Sequence, residues 1–198
     1  MSTTIQTTMD EPDRSPMPPQ EADDQPPPSL TNRLASCTIQ LDVIDATRAL
    51  TSSDLDSLIE LTQRVLAQIP NAGSVRLRVV DDAEMIRAHD RFSGLATTTD
   101  VLTFDLAHDQ TDFQTKTLDT DLIVCLDEAR RQSATRPHTA VHELLLYTIH
   151  GVLHCLGYDD HDDDAYARMH TREDELLTNA GIGALFSATN DPNTENES

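Results

Sequence analysis

Cysteine is scarce in this chain. Cys37, Cys125 and Cys155 are the only three in 198 residues, and they stand far apart. An odd, sparse set does not build a disulfide scaffold and fits a reducing compartment, so the expected location is the cytoplasm. Long apolar runs are also missing. None approaches the ~18–20 residues of a membrane span, so no membrane partner is expected. The N-terminus has no basic stretch followed by an apolar one, which argues against a secretory signal. Bases are few: 14 Lys and Arg stand against 35 Asp and Glu, for a formal charge of -21. Bulk attraction to nucleic acid or anionic lipid is thereby excluded, and any polyanion must be met at a local site. Apolar residues reach only 37%, short of the ~45–50% of ordinary domains, a count that also includes glycine. Part of the chain is therefore expected to lie outside a core.

That part is at the ends. Residues 1–33 hold most of the prolines among Asp, Glu, Gln and Ser, a composition that cannot offset its ordering entropy by burial. Residues 187–198 are similar. Both are expected to be disordered tails around one domain, residues 34–186. Most of the acidic excess stays within that domain.

Between the tails, apolar and polar residues alternate over Cys37–Val43 and Ser74–Val80, and Val101–Leu106 and Leu122–Leu126 are two more short strands, giving four predicted strands. Helical spacing follows Thr51–Asp54, whose side chains suit an N-cap, and runs to the stop at Pro70. Further helices are predicted over Asp81–Arg91, Asp127–Ala134, Thr139–Leu156 and Asp163–Asn179. The expected class is α+β: a small mixed sheet of about four strands packed with several helices.

The chemistry concentrates in the segment from His150 to His161. His150 and His154 are four residues apart on a predicted helix, so both imidazoles share one face and can hold one cation. Gly157 is a helix-ending residue by type, after which Asp159, Asp160 and His161 come within reach. Three protein ligands and an open position make a catalytic zinc arrangement. A zinc peptidase would carry Glu at the position after the first histidine; Gly151 stands there. Glu143 is two turns before His150, about 10 Å away, too far to join the site. His138, His142, Glu143 and His170 are expected in surface or capping roles, and Cys155 as a packed small residue.

The stretch His150-Gly151-Val152-Leu153-His154, with Gly157-Tyr158-Asp159, resembles the signature of the YbeY family of bacterial endoribonucleases. Thr99-Asp100-Val101-Leu102-Thr103-Phe104 and Thr120-Asp121-Leu122-Ile123-Val124 resemble two further family elements in the same order. The resemblance implies a zinc-dependent, single-strand-specific endoribonuclease acting in 16S rRNA 3′-end maturation and ribosome quality control. Its implied partners are single-stranded RNA, as rRNA, and the ribosomal small subunit or a ribosomal protein. The family's third ligand falls six residues after the second histidine, which is Asp160 here. Ligand chemistry instead favours His161, and both stay open. A family arginine ahead of the Thr-Asp-Val-Leu element is replaced by Ser93. Arg76 and Arg78, which share one strand face, and Arg91 are the candidate RNA contacts in its place. Two other classes fit the same residues: a metal-dependent hydrolase of a small or peptide substrate, and a non-catalytic ribosome assembly factor stapled by zinc.

Overall fold

The computed structural model describes residues 38–107 and 116–185. The expected tails, 1–33 and 187–198, and Cys37 lie outside the described residues. Strand β1 (Ile39–Asp45) shows the alternating exposure of a half-buried edge. The Asp45 carboxylate then accepts the Thr47 and Leu50 N–H groups at 2.9 and 3.1 Å and turns the chain. Helix α1 (Ser52–Leu66) opens with a capping box. Thr51 Oγ1 accepts the Asp54 N–H at 3.1 Å, and the Asp54 carboxylate accepts the Thr51 N–H at 3.3 Å, satisfying two otherwise orphan donors. β2 (Gly73–Val80) follows, then α2 (Asp82–Ser93), whose N-cap Asp81 accepts from the Glu84 N–H at 2.8 Å. β3 (Val101–Asp105), β4 (Leu118–Cys125), α3 (Leu126–Ser133), α4 (Ala140–Cys155) and α5 (Asp163–Asn179) complete the described chain.

The strand order is β1-β2-β4-β3. β1, β2 and β4 run parallel and β3 runs antiparallel to β4. The mixed, α+β architecture expected from the sequence is the one observed. One strand differs in extent. β4 was expected over Leu122–Leu126, yet it starts four residues earlier and Leu126 already belongs to α3. Asp119 and Asp121 mask its alternation: Leu118, Thr120, Leu122 and Val124 point inward, while the two acids point outward to Arg76.

Val75, Leu77, Val79, Leu118, Leu122 and Val124 form the inner face of the sheet. α4 crosses this face, touching β3, β4, α1, α3 and α5. It is buried nearly all round, as its run of apolar residues requires. On the outer face α2 covers only a corner, through Met85 against Val80 and Cys125. Gly151 sets how close α4 lies: an added Cβ there would meet Leu122 Cδ2 and Thr103 Oγ1, each at 2.7 Å.

Candidate metal centre

α4 stops as the sequence implies. Gly157 adopts φ 87°, a left-handed conformation that glycine takes without Cβ strain. Its N–H reaches the His154 carbonyl at 3.0 Å, and the Tyr158 N–H reaches the Leu153 carbonyl at 3.1 Å. These are the paired bonds of a Schellman ending. The reversal returns the following loop to the histidine face. His150 Nε2 lies 3.1 Å from His154 Nε2. Asp160 Oδ2 lies 3.7 Å from the first and 4.0 Å from the second.

The other ring nitrogens are already used. His150 Nδ1 is 2.8 Å from Glu173 Oε1, and the fully buried Glu173 also bonds His170 Nδ1 at 2.6 Å through Oε2. His154 Nδ1 is 3.1 Å from the Tyr158 carbonyl oxygen. A carboxylate and a carbonyl only accept, so both Nδ1 atoms carry the hydrogen. In the neutral rings the two Nε2 atoms then direct lone pairs at one another and at a carboxylate oxygen. That arrangement repels itself unless a cation lies between them. Tetrahedral zinc, with bonds of about 2.0–2.2 Å, spaces its donors about 3.3–3.6 Å apart. The three observed separations bracket that edge, so the donor set fits the ion in number, type and spacing. Burial opposes protonation of His150, but the Glu173 hydrogen bond and charge, with Asp100 and Asp160, raise its pKa above the ordinary histidine value.

His161 goes elsewhere. Its ring is 84% exposed and bonded to the Asp159 carboxylate, which raises its pKa. The structure thus brings His150, His154 and Asp160 together and leaves His161 in an exposed turn with Asp159, 3.8 Å from the outer oxygen of Asp160. Arg76 and Arg78 are not brought to the histidines. They lie on the outer face of the sheet, where Arg76 pairs with Asp119 at 2.6 Å and with Asp121, and Arg78 pairs with Glu84 at 2.9 Å. Arg91 packs over the Phe92 ring at 5.4 Å.

His138 and Glu143, expected on the surface or in caps, are instead buried against each other. Cys155 packs in the core, its thiol donating to Thr120 Oγ1 at 3.2 Å and pushed up in pKa by burial. Sequence reasoning missed Glu173. A signal was present: Met169, Glu173, Leu176 and Leu177 share one helical stripe, and a carboxylate on a buried apolar stripe needs a partner.

The family model described as Endoribonuclease YbeY matches residues 42–181, most of the chain. The chain belongs to the YbeY endoribonuclease family. A YbeY relative from Geobacillus thermodenitrificans is 31% identical over 154 residues, covering 73% of this chain and 98% of its own. One from Chloroflexus aurantiacus is 36% identical over 135 residues, covering 62% of this chain and 87% of its own. The solution structure of TM1509 from Thermotoga maritima matches with a TM-score of 0.46 at 21% identity, over 81% of this chain and 100% of that one.

Proposed function

We propose that the domain spanning residues 34–186 is a zinc-dependent endoribonuclease specific for single-stranded RNA. Its place is 16S rRNA 3′-end maturation and ribosome quality control in the cytoplasm. The observation that carries this reading is the pair of Nε2 lone pairs facing each other at 3.1 Å with Asp160 beside them. His150, His154 and Asp160 hold the ion, and His161 does not. Zinc bound by three protein groups keeps a position for solvent or substrate, polarises a phosphoryl oxygen and lowers the pKa of water to ~7.

The chain's own groups do the orienting. Glu173 fixes the tautomer and direction of His150, and the Tyr158 carbonyl does the same for His154. The ligand side chains are 19–33% exposed, so the site is reachable from one side. Arg76 and Arg78 are engaged by carboxylates, and the net charge is strongly negative. Weak intrinsic attraction to RNA follows, and we assign delivery of the substrate to the ribosomal small subunit or one of its proteins.

The test is metal content and cleavage of single-stranded against duplex RNA, for the native chain, Asp160→Ala and His161→Ala. Asp160→Ala is expected to lose zinc and cleavage, while His161→Ala retains both. Undiminished cleavage after exhaustive chelation would overturn the metal-dependent reading.

A further inference from the structure

A cavity of about 450 Å³ opens beside His150, between the segment ahead of β3 and helices α3, α4 and α5. Its size is within the range of small-ligand sites. Among the described residues, one arginine and no lysine lines it: Arg136. Arg76 and Arg78 face the other side of the sheet and are paired there. A polyanion entering beside His150 therefore meets Arg136 or no guanidinium at all.

Arg136 is held in a way that leaves part of it free. Its Nη1 donates to both oxygens of Glu143, at 2.9 and 3.1 Å. Glu143 is fully buried and also takes His138 Nε2 at 2.6 Å, so it anchors the guanidinium to the start of α4. Pro137 follows and restricts the backbone of Arg136 toward extended conformations. Nε and Nη2 make no bond among the described residues, and neither is sealed from solvent. These two nitrogens form the edge opposite Nη1, where two parallel N–H groups match two oxygens of one phosphate. A guanidinium fixed at one nitrogen and open along the opposite edge is pre-organised for an oxyanion, because much of its side-chain freedom is already lost to Glu143.

The acids of the cavity do not close it to phosphate. Glu128 is met by Arg131 at 2.8 Å and by the Gln132 amide at 2.6 Å. Glu173 is met by two imidazoles. Asp100 is bonded only by neutral donors, the Val101 N–H and the Thr99 hydroxyl. That carboxylate weakens the hold of the cavity on a polyanion and concentrates the attraction on Arg136. His150 belongs both to the cavity wall and to the histidine–aspartate cluster, so a strand with one phosphate at the cluster can lay its neighbour in the cavity. We propose that Arg136 is a substrate-binding residue, whose Nε and Nη2 grip a phosphate of single-stranded RNA beside the one that is cleaved. The proposal rests on the nuclease reading for its substrate class.

Binding and cutting are measured separately to keep the two readings apart. Binding of the full chain to a fluorescent single-stranded RNA is followed by anisotropy in chelator, and cutting of the same strand in zinc. Arg136→Gln keeps an amide for Glu143 and loses the charged fork. Binding about tenfold weaker is expected, as for a lost charged hydrogen bond. The fall of log affinity with log salt should be shallower by about 0.7, the share of one phosphate on a single strand. Arg76→Gln removes the same charge from the far face and should change neither. Replacing single phosphates by uncharged methylphosphonates locates the contact. At one position flanking the cleaved bond the native chain should lose about tenfold in affinity, and Arg136→Gln nothing more. Arg136→Lys keeps a cation against Glu143, and the fold with it, but has no fork. It should lose most of that position-specific sensitivity, so the test survives a Gln variant that fails to fold. A native chain indifferent to every methylphosphonate, equal effects of Arg76→Gln and Arg136→Gln, an unchanged salt slope, or no binding at all overturns the assignment. A position-specific contact that Arg136→Gln abolishes, in a chain that cuts no RNA in zinc, leaves the assignment standing and overturns the nuclease reading instead.

Discussion

The two ends of α4 both gather histidine and carboxylate, and they resolve the charge differently. At the N-terminal end Glu143 is fully buried and accepts from Arg136 at 2.9 and 3.1 Å and from His138 at 2.6 Å. The charges meet their opposites directly, so the cluster closes on itself and fastens the segment before α4 to the helix. At the C-terminal end the buried carboxylate, Glu173, takes Nδ1 of His150 from behind. Nε2 of His150 and Nε2 of His154 are left converging on Asp160. Residue types are nearly the same at both ends; the direction of the lone pairs is not. A histidine–carboxylate cluster becomes a candidate metal site when its unprotonated nitrogens converge, and a structural staple when the carboxylate is met directly by a guanidinium and an imidazole.

Exchanging readouts between the two ends tests that distinction. His154→Ala should abolish zinc binding and lower RNA cleavage on the order of 10³-fold, the equivalent of several kcal/mol of lost transition-state stabilisation. Its metal-free stability in urea should stay within about 1 kcal/mol, since the side chain is partly exposed. Glu143→Ala should do the reverse. It strands a buried imidazole and a guanidinium, and urea melts should show a loss of roughly 2–4 kcal/mol with zinc stoichiometry retained. Equal loss of metal in both variants would erase the distinction. Glu173→Gln sharpens it, because the amide keeps the shape but weakens the hold on His150. Competition with a zinc chelator should read a 10–100-fold loss in affinity, roughly as second-sphere partners give elsewhere. Gly151→Ala has the smallest effect. The added methyl presses on Leu122 and Thr103, so a thermal melt should show a loss of about 1–3 kcal/mol.

Much of the site could be read in advance because it is local. His150 and His154 lie on one helical face, and Gly157 ends the helix where a left-handed residue is needed. The sixth position after His154 proved to be the one whose carboxylate returns to the pair, while His161, chemically the more familiar zinc ligand, points into the exposed turn. Elsewhere local pattern misled. The polar residues Asp119 and Asp121 concealed half of β4, since their burial depends on Arg76 of a neighbouring strand. Arg76 and Arg78 were correctly placed on one face, but nothing in a single strand says which face α4 will cover.

Periodicity and end signals act within a few residues, so the chain alone determined its helices and strands, the α+β class, the paired imidazoles and the bend after them. The fold decided the strand order and which side of the sheet stays open. It also supplied Glu173 to His150 across 23 residues. Those outcomes depend on burying one sheet face against one helix. The energy of that packing belongs to residues distant in sequence, and no stretch of the chain carries it alone.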